Sequence, residues 1–304
     1  MRYIQRERAQ VKNDERRQTS NINAVIKEYI YMQHQESTQP GLPIVESHDN
    51  NSSSKYGMLI LLFGITVCAQ LANVLYQAIQ NSQPISPLIM PSLAFLSVVT
   101  IPCLLIGLRL GRPLGLGLVN RSQNTNLDKS GNYSADENWR ISLNEGVVFA
   151  LSSGVVMGVL LLVVRWYLQP YLPEQIPAYG FRGPIGGLLV SIGAGIGEEV
   201  WFRFGLLTLL LAGIKHFFKL QKISNAVAIV AILLVAIPFG LAHLPQLASY
   251  GAASTFAISG TMIGNILVST LFGWCYWRYG LISAIAAHIA VDIVLHMLPA
   301  FFIG

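Results

Sequence analysis

The chain alternates between long apolar stretches and short polar breaks. Apolar runs fall at roughly 58–79, 88–108, 146–168, 184–212, 225–244, 256–277 and 281–303. Each reaches or approaches the ~20 residues that a helix needs to cross a hydrocarbon core. An open sheet would leave backbone groups unpaired in lipid, so the runs are expected to be helices. The pattern predicts an all-α, polytopic transmembrane helix bundle of about seven helices, with six to eight as the rough limits. No internal repeat stands out.

Polar segments divide the chain further. Residues 1–55 hold eight Lys/Arg and seven Asp/Glu, and Asn50-Asn51-Ser52-Ser53-Ser54 reads as a linker. This composition predicts a mobile tail with a short helix near residues 20–33. No early apolar stretch marks a signal peptide. The long break at 109–143 is polar and separates a two-helix front part from a five-helix back part. The expected domains are therefore a tail at 1–55, a two-helix region with its polar loop at 56–140, and a helix bundle at 141–304.

Composition narrows the class. The chain is 53% hydrophobic and 12% charged, with mean hydropathy +0.50. A soluble domain carries about 25% charged residues. An ordinary water-soluble enzyme and a disordered chain are both excluded. The net charge of +5 sits between apolar runs, so it reads as an orientation signal at a lipid bilayer and not as a nucleic-acid surface. Cys68, Cys103 and Cys275 are odd in number and far apart, and offer neither a disulfide framework nor a zinc-finger spacing.

Lys and Arg cluster in the tail, in 109–143, in 213–224 and at Arg278. The alternate loops 80–87 and 245–255 have none, and 169–183 has only Arg182. A cytoplasmic amino terminus follows, in a multi-pass protein expected in a bacterial cytoplasmic membrane. Trp166, Tyr167, Tyr171, Trp274, Tyr276, Trp277 and Tyr279 read as interfacial anchors.

The informative residues are charges inside apolar runs. Only five acidic residues follow position 140: Glu145, Glu174, Glu198, Glu199 and Asp292. The last three lie in apolar runs, as does Arg203. A charge at the bilayer centre costs at least ~2.5–3.5 kcal/mol on insertion scales. On a helix Glu199 and Arg203 are i and i+4, in the favourable Glu-before-Arg order. Glu198 stands about 100° round the same helix with no local cation, which suits proton transfer. The plainer reading of Glu199–Arg203 is an ion-pair brace between helices. Gly183, Gly187, Ser191 and Gly195 recur every four residues before Glu199, a stripe that lets helix backbones approach.

Two further runs carry histidines. Pro238 and Pro245 bracket Phe239-Gly240-Leu241-Ala242-His243, so the helix is expected to kink or stop there. Phe239 lies four residues before His243 and can pack on its ring. In the last run His288 and Asp292 are i and i+4, with His296 a further four along. A glutamate, two histidines and an aspartate in the membrane suit metal binding or acid–base hydrolysis. The HExxH signature is absent. One geometric problem remains. With single spanning helices His243 lies near one face and His288 ~10 Å from the other, so convergence needs tilted helices or a short final pair.

These residues resemble the three ordered motifs of the CPBP family: Glu198-Glu199-x-x-x-Arg203, Phe239-x-x-x-His243 and His288-x-x-x-Asp292. That family comprises CAAX-prenyl-protease-type and bacteriocin-processing (Abi) intramembrane proteases. The resemblance covers about 184–295. It implies an intramembrane endopeptidase acting on a membrane-associated protein or peptide. Glu198 with His243 would activate water, and His288 with Asp292 would stabilise the oxyanion or help bind a metal. Glu199, Arg203 and Phe239 would support the site. The resemblance leaves the cofactor open between zinc, held by Glu198, His243 and His288, and none. An aspartate at the last motif position donates to an oxyanion only when protonated. Two other classes use such residues: a transporter with an intramembrane Glu/His/Asp cluster, and a non-catalytic scaffold or immunity protein.

Overall fold

The computed structural model of the chain describes residues 50–120 and 135–302. Seven of its helices are long and apolar enough to cross a membrane. They are α1 (Asn50–Gln80), α2 (Ser86–Leu110), α3 (Ala135–Leu168), α4 (Gly183–Phe217), α5 (Asn225–Ala242), α6 (Thr255–Tyr279) and α7 (Leu281–Phe301). The described residues hold no strand. Met1–Ile60 and Leu61–Gly304 form two compact units. The candidate site and the helices that position it belong to the second. The helix expected near 20–33 lies outside the described residues.

Sequence punctuation explains the helix ends. Ser224 and Ser254 cap α5 and α6, their hydroxyls accepting from Val227 N at 3.3 Å and Ala257 N at 3.2 Å. A proline sits in the first turn of α4. Pro238 does not stop α5, which runs on to Ala242. The chain turns at His243, and a short helix, Leu244–Ser249, follows.

One expectation is corrected. Asn50–Ser54 is not a linker: it forms the first turns of α1. α3 begins at Ala135. α2 packs along α4, where a Cβ on Gly205 would meet Cys103 Sγ at 2.6 Å and Trp201 Nε1 donates to Thr100 Oγ1 at 3.0 Å. The small residues of α4 act as the stripe predicts. A Cβ on Gly195 would meet Ile289 of α7, and one on Gly193 would meet α1 at Ala69 O, 3.2 Å away.

The aromatic group near 277 is also corrected. Trp166, Tyr167 and Tyr171 are exposed, but Tyr276 and Trp277 are buried. Trp277 Nε1 donates to Asn225 Oδ1 at 2.9 Å. They are buried because the segment after α2 folds over the α6–α7 turn. Leu116, Leu118, Val119 and Asn120 are all buried. Leu281 N donates to Gly117 O at 3.0 Å and Ile282 N to Leu118 O at 3.1 Å. Asn120 Nδ2 donates to the carbonyls of Tyr276 at 2.6 Å and Trp277 at 2.9 Å, pairing the last turn of α6. Gly280 has φ +104°, and a Cβ there would meet Asn120 N at 2.9 Å.

This plug covers the start of the last helix, and His288 lies two turns, ~10 Å, further along α7.

Asn120→Ala removes both donors, leaving Trp277 O without one while Gly280 N still serves Tyr276 O. Asn120→Asp keeps the acceptor and loses both donors. Each variant is expected to lose roughly 1–3 kcal/mol, read as a lower thermal midpoint in detergent. An unchanged midpoint in both would show that the plug does not hold the turn.

Candidate active site

The site starts from the acidic pair on α4. The helix is α-helical to Glu198 and π-helical from Glu199 to Leu207. Its wider turns bond i to i+5, a geometry concentrated at functional sites. Thr208 shows the shift, its hydroxyl donating to Arg203 O, five residues back, at 3.1 Å. Tyr276 then donates its own hydroxyl to Thr208 Oγ1 at 2.7 Å. α7 does the same after its acidic residue. It is α-helical to Asp292 and π-helical over Ile293–Met297.

Glu199 and Arg203 are 0% and 1% exposed, and Glu199 Oε1 lies 3.1 Å from Arg203 Nη1. Arg203 Nη2 donates to Ser269 O at 3.1 Å and Ser269 Oγ at 2.9 Å on α6. Its guanidinium lies 4.5 Å from the centre of the Phe239 ring and 5.3 Å from that of Phe272. His288 Nδ1 meets the same Glu199 oxygen at 2.7 Å. The His288 ring stacks on Phe272, with centroids 4.3 Å apart and planes at 15°. The pair thus links α4 to Ser269 of α6 and His288 of α7.

Glu198 faces the other way. Its Oε2 lies 3.8 Å from His243 Nε2 and 4.0 Å from His288 Nε2, and has no hydrogen-bond partner among the described residues. His243 Nδ1 lies 2.8 Å from Phe239 O, a carbonyl that can only accept, so Nδ1 carries the proton. Nε2 of the ring points toward Glu198, and it is the free nitrogen whenever the ring is neutral. Phe239 also packs on His243, with ring centroids 5.0 Å apart. Asp292 Oδ2 stands 3.6 Å from His288 Nε2, and its Oδ1 stands 4.0 Å from His296 Nε2.

One cavity of about 490 Å³ is lined by Glu198, His243, His288 and Asp292 together. Glu199, Arg203 and Phe239 pack behind or beside them. Tyr179, in the loop before α4, lines the same space and packs edge-on against His296 at 6.0 Å. Burial raises the Tyr179 phenol above its ordinary pKa, while the Arg165 guanidinium opposes the shift. Its hydroxyl is therefore neutral at physiological pH.

Glu198, His243 and His288 are the residues that would hold a zinc ion, and both histidines pair Nδ1 in the manner of metal ligands. Among the described residues no group of three or more His, Cys, Asp or Glu is gathered as a preformed metal site.

Sequence reasoning missed Ser269, Phe272 and Thr208. The first and last are hydroxyls in apolar surroundings, an available but weak signal. Phe272 carried none, because an aromatic in an apolar run looks like any other.

Residues 181–294 match the family model described as type II CAAX prenyl endopeptidase, Rce1-like. That segment contains every residue of the three motifs and excludes α1, α2 and α3. Neither a curated protein nor a solved structure matches the chain.

Removing one partner of a buried pair strands the other, at a cost of roughly 3–5 kcal/mol. Arg203→Met is expected to destabilise the protein by that amount. Glu199→Gln combined with Arg203→Met is expected to recover part of the loss. The check is the thermal midpoint of the three purified proteins in detergent. A double variant no better than Arg203→Met alone would contradict the pairing.

Proposed function

We propose that this multi-pass membrane protein, whose residues 181–294 match the Rce1-like type II CAAX prenyl endopeptidase family model, hydrolyses a peptide bond of a membrane-associated protein or peptide through Glu198 and His243. The family supports membrane endopeptidase activity. The observation that carries the finer reading is the convergence of Glu198 Oε2, His243 Nε2 and His288 Nε2, with Asp292, on one cavity within the bundle.

The separations suggest the chemistry. At 3.8 Å Glu198 and His243 are too far apart for a direct hydrogen bond, but one water can bridge them. Glu198 takes a proton from that water as its oxygen attacks the scissile carbonyl carbon. The new C–O bond moves an electron pair onto the carbonyl oxygen. A protonated Asp292, beside His288, donates to that oxyanion. The C–N bond then breaks as the leaving nitrogen takes the proton that Glu198 accepted. Glu199 and Arg203 touch no reacting atom. They hold His288 in place, and Phe239 holds His243.

The distribution of Lys and Arg supports a cytoplasmic amino terminus.

Glu198→Gln keeps the shape of the side chain and loses the base. Cleavage is expected to fall ~10²-fold or more, with thermal stability and expression kept. The check is a comparison of peptide termini in membranes carrying wild type or Glu198→Gln. Termini lost only in the variant identify the substrate. Identical termini at equal expression would overturn the reading in favour of a scaffold or transporter.

A further inference from the structure

The same cavity extends beyond the acidic residues to a wall that the motifs do not describe. Asn73 and Gln77 of α1 line it on one side and Asn265 of α6 on another. Asn73 and Gln77 lie outside residues 181–294. A carboxamide in a membrane helix is unfavourable unless its donors and acceptor are used. Here they are used only in part. Gln77 Nε2 donates to Asn73 Oδ1 at 2.9 Å, and Asn265 Nδ2 donates to Thr261 O at 2.8 Å. Asn73 Nδ2, Gln77 Oε1 and Asn265 Oδ1 have no protein partner among the described residues. Gln70, one turn before Asn73, differs. Its amide donates to Gly193 O at 2.9 Å and joins α1 to α4.

The glycines of α6 point the same way. Gly260 and Gly264 line this cavity, and a Cβ added to either meets nothing within 4 Å. Gly193 and Gly195 of α4 behave oppositely: a Cβ there runs into a neighbouring helix. Gly260 and Gly264 are therefore not packing contacts. They keep one wall of the cavity open along about one turn of α6, beside Asn265.

A scissile peptide bond must leave a regular helix before water can reach its carbonyl. Within a bilayer, that unwinding strips the flanking N–H and C=O groups of their partners. A carboxamide offers both a donor and an acceptor to such groups. We infer that Asn73, Gln77 and Asn265 form a subsite for the backbone of an unwound substrate segment, seated along Gly260 and Gly264. It recognises extended polypeptide through its amide groups and is tolerant of side-chain sequence. This inference rests on the endopeptidase reading above and adds a binding role to it.

The test uses purified full-length protein in lipid nanodiscs. The probe is a quenched fluorogenic peptide spanning the junction found by the terminal comparison. A second peptide replaces one amide beside the scissile bond with an ester, removing one N–H donor; a scan of adjacent positions finds the sensitive one. Wild type is expected to show a KM about fivefold or more higher for the ester at that position, the loss of about one hydrogen bond. Asn265→Leu is expected to raise KM for the amide peptide, with kcat within about threefold of wild type, and to erase the amide–ester difference. Gly264→Leu is expected to block cleavage, while Gly213→Ala, whose added Cβ also meets nothing within 4 Å, leaves it unchanged. Wild type that cleaves amide and ester peptides with equal KM at every position overturns the subsite without any variant. So does an Asn265→Leu protein with unaltered KM. If wild type cleaves neither peptide, the endopeptidase reading fails as well.

Discussion

The Glu199 carboxylate is the constraint on which the rest of the site depends. It is fully buried in a helix bundle that spans a membrane, and one oxygen serves both Arg203 and His288. Leaving that charge unpaired would cost several kcal/mol. Every helix around the site is fitted to avoid this. α6 brings Ser269 to the guanidinium, and Phe239 and Phe272 cover it. α7 must approach closely enough for His288 to reach the carboxylate, and Gly195 permits the approach. The π-helical turn keeps Arg203 in reach of its partners, while the hydroxyl of Thr208 takes up a carbonyl of the widened turn.

The proposed mechanism gives the neighbouring glutamates different jobs. Glu199 is paired with Arg203 and His288. Glu198, one residue earlier, has no cation and opens onto the cavity. The two histidines are each anchored at Nδ1, one by a backbone carbonyl and the other by Glu199. Both direct Nε2 toward Glu198. Acid–base chemistry in a bilayer needs this separation, because a carboxylate locked in an ion pair has no freedom to take a proton.

Much of this was legible in the sequence because membranes enforce simple rules. Apolar length marks the spans, and charge inside them marks residues with partners. The i, i+4 spacings of Glu199–Arg203 and His288–Asp292 place those pairs on common helix faces. The rest was hidden for definite reasons. Residues 115–120 read as part of a polar break, yet they bury themselves over the α6–α7 turn through backbone hydrogen bonds that leave no side-chain signature. Tyr276 and Trp277 look like interfacial aromatics until that cover is in place. Asn73 and Gln77 lie in an apolar run, and Asn265, which lines the same cavity, is nearly two hundred residues away in the chain. The approach of His243 and His288 to Glu198 joins three helices distant in sequence, which no local pattern records.

The central claim is that Glu198 drives attack by water inside the membrane. Its most direct test is cleavage of the mapped substrate by purified protein in sealed liposomes made in H₂¹⁸O. Wild type should place one heavy oxygen in the new carboxyl terminus, and Glu198→Gln should form that product at least ~10²-fold more slowly. Product without heavy oxygen, or a Glu198→Gln rate within a few-fold of wild type, would contradict the account.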